Sequence, residues 1–114
     1  MEDQLGYVIM RTTGIRIELC DDEATVDIQV IRLGDTCIVG VPGEIFVEYA
    51  LYVKAMAGYS IVVFNELANG CLPGYLYTPE ALKFGGYETD TSMLGPKFGR
   101  HMVDQVLNTI EEVR

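Results

Sequence analysis

One short stretch constrains the fold more than any other: the apolar run from Cys37 to Val41, which leads directly into Pro42-Gly43-Glu44. A nearly continuous apolar run is typical of a strand that is covered on both faces. Pro42 has no amide hydrogen to donate to a strand ladder, so pairing is expected to stop there. Residues 44–57 contain neither glycine nor proline and predict a helix, buried over much of its surface, with Glu44 in its first turn and Gly58 as its stop.

Strand patterns on both sides of this stretch predict a mixed sheet. Residues 24–33 alternate between apolar and polar and lead through Gly34-Asp35, a typical two-residue hairpin turn, into the strand at 36–41. Residues 60–64 predict another buried strand, so that strand, helix and strand form a parallel crossover. A shorter alternating pattern at 15–19 predicts one more strand, followed by an acidic turn at 21–23.

The second half of the chain predicts a long irregular segment and a closing helix. Residues 65–86 are rich in glycine and proline, and a loop of this length usually carries function. Within it, Thr78 is expected to cap a short helix that begins at Pro79. Gly95-Pro96 precedes an amphipathic helix that is expected to reach about Val113 and to cover one face of the sheet. The predicted fold class is therefore α/β, with a mixed sheet, a βαβ crossover, an N-terminal antiparallel hairpin and a long C-terminal helix.

Composition narrows the possible functions. The 114 residues predict a single domain, and the net charge of −9 disfavours nucleic acid and anionic lipid as partners. No apolar segment is long enough for a transmembrane helix, and the acidic start Met1-Glu2-Asp3-Gln4 does not resemble a signal peptide. The compartment cannot be read from this. Three widely spaced cysteines, Cys20, Cys37 and Cys71, predict free thiols.

Five side chains are candidates for chemistry. Glu44 follows a parallel strand, where α/β sheets bind ligands, so it is either a metal ligand or base, or an acid that interacts with the helix dipole. Tyr75, Tyr77 and Tyr87 could donate to an oxyanion or hold a metal, or could only pack their rings and bond backbone carbonyls. His101, the only histidine, is expected on the polar face of the last helix.

A series of short motifs follows in order along the chain: residues 27–35 and 38–44, then Asn69, Gly74-Tyr75, Thr78-Pro79-Glu80, Tyr87-Glu88 and Gly95-Pro96. In these residues the chain resembles the later part of the catalytic domain of neutral/alkaline (non-lysosomal) ceramidases. That family hydrolyses the amide bond of ceramide with a zinc ion held by two histidines, a glutamate and a tyrosine. The resemblance implies that Glu44 and Tyr75 are metal ligands and that Tyr87 lies near the scissile carbonyl.

The family's two histidines and its serine nucleophile have no counterpart in residues 1–114. We therefore expect this single domain to be a fragment of a larger ceramidase-like domain, inactive alone and without tightly bound zinc. The substrate of the complete protein would be ceramide-like or another amide, and an exposed apolar face would favour self-association. The alternative is a non-catalytic α/β module that binds a small molecule or a protein partner. A homomeric enzyme, in which His101 reaches a neighbour's Glu44, is a third hypothesis.

Overall fold

The computed structural model describes residues 8–19, 22–68, 75–88, 94 and 97–114. The strands are β1 (Ile9–Leu19), β2 (Asp22–Leu33), β3 (Thr36–Gly40), β4 (Glu44–Ile45), β5 (Ile61–Asn65) and β6 (Tyr75–Leu76); the helices are α1 (Val47–Ala57), α2 (Pro79–Phe84) and α3 (Phe98–Glu112). This arrangement confirms the predicted α/β fold class, with its N-terminal antiparallel hairpin and its C-terminal helix.

Four strands form one mixed sheet in the order β1-β2-β3-β5. β2 pairs antiparallel with both β1 and β3, and Gly34 closes the turn between β2 and β3 with a φ of 60°, a value that glycine adopts easily. β3 and β5 run parallel, with Thr36 opposite Ile61 and Gly40 opposite Asn65. Because α1 lies between these two strands in the chain, the predicted crossover is confirmed.

The first hairpin is longer than the sequence pattern indicates. β1 has eleven residues and begins at Ile9, whereas the alternating pattern predicts a strand only from Ile15. β2 begins at Asp22, so the backbone at Asp22 and Glu23 belongs to a strand and the prediction of an acidic turn there is wrong. The extra length of β1 and β2 comes from their pairing with each other, since hydrogen bonds between strands hold even residues of low strand preference in an extended conformation.

Helices α1 and α3 cover one face of the sheet and enclose the core. Gly58 ends α1 in the left-handed conformation, with a φ of 76°, as predicted. Thr109 of α3 is fully buried, and its hydroxyl is hydrogen-bonded twice: it donates to the Gln105 carbonyl at 2.8 Å and shares a 2.7 Å hydrogen bond with the Thr13 hydroxyl of β1. The other buried core side chains include Ile28, Val30, Val39, Val53, Met102, Val103, Val106 and Ile110.

The opposite face of the sheet is apolar and partly exposed. Strand register places six apolar side chains on it, and we call this set the open face: Met10, Ile31, Leu33, Ile38, Ile61 and Val63. Ile61 is 55% exposed and Val63 is 42% exposed. The predicted strand at 60–64 is therefore confirmed as β5, whereas the prediction that it is buried is wrong. An apolar run shows that a strand can be buried, but β5 lies at an edge of the sheet and only its other face is covered.

Two predictions about the first helix also need correction. The helix begins at Val47, and Glu44 lies in strand β4 before it, because the backbone at Glu44 pairs with β6. Only one side of α1 is buried, through Tyr49, Val53 and Ala57, whereas Val47 is 64% exposed.

Across the described residues, no helix combines the length and apolar character needed to cross a membrane.

Candidate functional site

Glu44 and Tyr75 are directly opposite each other in a small parallel ladder. β4 and β6 form a two-stranded sheet in which Glu44 pairs with Tyr75 and Ile45 pairs with Leu76. The amide of Phe46 extends the ladder by donating to the carbonyl of Leu76 at 3.1 Å. Residues paired across a ladder project from the same face, so the negative charge of Glu44 acts on the Tyr75 phenol.

The electrostatics of this pair keep the phenol protonated. Partial burial and then the negative charge of Glu44 raise the pKa of Tyr75, with smaller effects from Tyr87 and Glu88. Each of these effects disfavours the phenolate, which is a second negative charge beside the first. A cation between the two oxygens would act in the opposite direction, since positive charge stabilises the phenolate. The pair can therefore share either a proton or a cation.

Tyr87 completes a cluster of three side chains. Its ring meets the ring of Tyr75 edge-on, with 6.0 Å between centroids and 72° between planes. Helix α2, which connects the two tyrosines, begins as predicted: Pro79 is at its first position and the Thr78 hydroxyl accepts a hydrogen bond from the Ala81 amide at 3.2 Å. The structure thus brings together Glu44, Tyr75 and Tyr87. Their roles toward a metal or a substrate stay predictions.

Tyr77, the remaining candidate in the loop, has a structural role. Its hydroxyl donates to the carbonyl of Leu94 at 3.1 Å, and its own carbonyl accepts from the hydroxyl of Tyr49 at 3.0 Å. Both tyrosines are buried, and burial is the main cause that raises the pKa of Tyr49. This chain of hydrogen bonds fixes the backbone just after β6. The Tyr49 ring lies against Gly99 at the start of α3, where even a methyl group would collide with it.

The turn that follows β5 holds the other side of β4. The Glu66 carboxylate accepts a hydrogen bond from the Ile45 amide at 2.9 Å, and the Leu67 amide donates to the Gly43 carbonyl at 3.3 Å. Tyr49 and Glu66 were absent from the candidates drawn from the sequence. A signal for Glu66 does exist, because it is an acidic residue directly after a parallel strand, where polar groups of α/β sites collect.

The described residues offer only part of a zinc site. Among them, no group of three or more histidine, cysteine, aspartate or glutamate side chains is placed to hold a metal ion. His101 is exposed on α3, with its ring 6.1 Å from that of Phe98. Cys37 is a buried free thiol, as predicted, whereas Cys20 and Cys71 lie outside the described residues. Zinc takes four ligands, so the Glu44 carboxylate and the Tyr75 phenol fit two of the positions.

The sheet and its crossover define an α/β domain whose fold also occurs in solved ceramidase structures. The crystal structure of neutral ceramidase from Pseudomonas aeruginosa matches 76% of this chain and 15% of its own, with a TM-score of 0.69 and 23% identity. A structure of ceramidase complexed with C2 matches 75% of this chain and 14% of its own, with a TM-score of 0.66 and 25% identity. No family model and no curated protein matches. The resemblance to neutral ceramidases is thus confirmed in the fold, over a small part of the ceramidase chain.

Proposed function

We propose that this chain is part of a ceramidase-like zinc amidohydrolase, to which it contributes Glu44 and Tyr75 as zinc ligands. The observation that carries the proposal is the Glu44–Tyr75 pair, in which a carboxylate and a phenol lie directly opposite each other in the β4–β6 ladder; the ceramidase resemblance expects these two residues to be metal ligands. The structural similarity to neutral ceramidase supports the protein class. The substrate proposed for the complete protein is an amide of the ceramide type.

Each of the three clustered residues has a distinct chemical task in this proposal. Bound zinc would supply a Lewis acid that polarises the amide carbonyl or activates a water molecule. The Glu44 carboxylate, held by the β4 backbone, offers a fixed negative charge to the metal. Tyr75 would offer its phenol oxygen as a further ligand and release its proton to solvent, because a bound cation stabilises the phenolate. Tyr87, beside it and 67% exposed, can donate a hydrogen bond to the oxygen on which negative charge develops.

Two ligands also set an upper bound on what this chain can do alone. Complete four-ligand zinc sites supply about 10–16 kcal/mol. Half of that corresponds to a dissociation constant in the micromolar range or weaker. We therefore expect weak zinc binding and no amidase activity from residues 1–114 by themselves, with the remaining ligands supplied by other parts of a longer protein.

Titration of the chain with Zn²⁺, followed by calorimetry and by NMR of the tyrosine rings, tests the proposal. Zinc should perturb the Tyr75 and Tyr87 signals, and Glu44→Gln or Tyr75→Phe should abolish the response. Glu48→Gln is the matched control, because Glu48 is an exposed acid in the first turn of α1. Tight one-to-one binding by the isolated chain, or binding that survives both site variants, would contradict the assignment.

The non-catalytic alternative is disfavoured by the same geometry. A binding module that uses its tyrosines only as contact residues has no reason to place Glu44 against a phenol, and that hypothesis predicts that the groups lie far apart. The direct pairing of Glu44 with Tyr75 in the ladder argues against it. We also propose that the chain self-associates through its open face, since burial of exposed Ile61 and Val63 in a second copy removes apolar surface from water. Sedimentation velocity at increasing concentration measures this directly.

A further inference from the structure

The Glu66 side chain takes the place of a backbone acceptor where strand β5 ends. Up to Asn65, β5 pairs with its neighbour through backbone groups, and the Asn65 carbonyl still accepts from the Val41 amide at 3.0 Å. Beyond that point the chain turns away from β4. The Glu66 carboxylate then reaches back to the Ile45 amide at 2.9 Å. A charged acceptor makes a stronger hydrogen bond than a carbonyl does.

This contact is one of four that bind the segment before α1 to a single turn. We call residues 65–68 the β5 turn. Besides the two bonds just given, its Leu67 amide donates to the Gly43 carbonyl at 3.3 Å, and its Ala68 amide donates to the Val41 carbonyl at 2.7 Å. On its other side, the same segment pairs with β6. Glu44 is thus held between the β5 turn and the strand that carries Tyr75.

The backbone of the β5 turn is itself under constraint. Leu67 has a φ of 52°, in the left-handed region that is unfavourable for residues other than glycine because Cβ lies too close to the following carbonyl oxygen. Such a conformation persists only where the surrounding contacts fix it, and it occurs most often beside functional sites. At Leu67 the fixing contacts are the bonds that its amide and its neighbours make to the Val41–Ile45 segment. The strain indicates that the turn is built to hold this segment in one place.

We propose that Glu66 is a positioning residue, whose carboxylate sets the register of Glu44 against Tyr75 by binding the amide of Ile45. The effect of Glu66 on zinc binding rests on the proposed function, whereas the effect of Glu66 on the position of Glu44 does not. Amide exchange at Ile45 reports on the Glu66 contact itself, and the tyrosine ring signals report on the Glu44–Tyr75 pair. Zn²⁺ titration reports separately on metal binding.

The experiment compares Glu66→Ala with Glu66→Gln in the full chain. Glutamine keeps an oxygen acceptor at the same distance, whereas alanine removes it. Glu66→Ala should raise the exchange rate at Ile45 about tenfold relative to the amide of Ile110 in α3. Glu66→Gln should stay within about threefold of the unsubstituted chain. Glu112→Ala, an exposed acid at the end of α3, is the control and should leave Ile45 unchanged.

Zinc affinity gives the second readout. Residues that position a ligand typically change metal affinity by about 10–100-fold when they are lost, so Glu66→Ala should weaken Zn²⁺ binding about tenfold and Glu66→Gln should restore most of it. If the alanine variant does not fold, Glu66→Asp gives the same comparison, with intermediate exchange at Ile45. Unchanged Ile45 exchange in Glu66→Ala, or equal losses with glutamine and alanine, overturns the positioning role. Failure of the unsubstituted chain to bind zinc overturns the proposed function and leaves the exchange test standing.

Discussion

Replacing Gly99 by alanine tests whether the Tyr49 ring fixes the backbone beside the candidate site. A Cβ atom at position 99 would lie 2.6 Å from Cζ of Tyr49 and 2.7 Å from its hydroxyl oxygen, distances that real Cβ atoms essentially never show. Tyr49 is only 8% exposed, and its hydroxyl is bonded to the Tyr77 carbonyl at 3.0 Å. The ring must therefore move, and that hydrogen bond is lost with the movement.

The expected cost follows from three contributions. Overpacking of a well-filled core costs about 1–3 kcal/mol. Loss of the Tyr49–Tyr77 hydrogen bond costs about 0.5–1.5 kcal/mol. Alanine is the better helix former and returns up to about 1 kcal/mol at a position in α3. Gly99→Ala should therefore lower the free energy of unfolding by roughly 0.5–4.5 kcal/mol.

Urea denaturation followed by circular dichroism measures this free energy. Repeating the measurement in a chain that also carries Tyr49→Ala shows whether the Tyr49 ring causes the loss of stability. In a Tyr49→Ala chain the ring is absent, so only the gain in helix preference remains. Gly99→Ala should there be neutral or stabilising by up to about 1 kcal/mol. An equal cost in both backgrounds, or a stabilised chain when Tyr49 is present, would show that the contact does not constrain the fold.

Two other predictions concern alkaline stability and association. Burial, opposed by the charge of Arg114, raises the pKa of the Cys37 thiol, so its contribution to stability is fully present below the ordinary thiol pKa of about 8.5 and is lost as pH rises through the folded-state value. Urea denaturation from neutral to alkaline pH should therefore show a steeper fall in the unfolding free energy for the unsubstituted chain than for Cys37→Ala; parallel curves would refute this. Val63→Lys should shift sedimentation toward monomer, whereas Leu51→Lys, a change at another exposed apolar residue on α1, should not; equal shifts would exclude the open face as the interface.

Much of the fold can be predicted from local sequence, because the hydrophobic patterns involved are either long or bounded by turn residues. The Gly34-Asp35 turn between two alternating runs predicts the β2–β3 pair, and the 3.6-residue apolar period predicts α3. The full length of β1 and the exposure of Ile61 could not be predicted. Each depends on which neighbour a strand finds and which face a helix covers, and these are properties of the assembled sheet.

In the candidate site too, some features could be predicted before the structure and others could not. The Glu44–Tyr75 pair was expected from a family resemblance, since nothing local in either residue indicates the other. Glu44 was placed in a helix because its pairing with Tyr75 is invisible to local propensity. Glu66 and Tyr49 were missed for a related reason: their hydrogen-bond partners lie 21 and 28 positions away in the chain. The position of Glu66 after a parallel strand is a signal, but nothing local in Glu66 or Tyr49 indicates which distant backbone group the side chain binds.

The β4–β6 ladder has a consequence for how sequence length can vary around the site. Glu44 and Tyr75 project from one face because of the register in which β4 pairs with β6. The number of residues between the two strands does not decide this, whereas a slip of one residue in the register would turn a side chain to the opposite face. Insertions or deletions between Ala68 and Tyr75 are therefore compatible with an intact pair. A single residue gained between Gly40 and Glu44 is not, because it would shift the carboxylate out of step with the phenol.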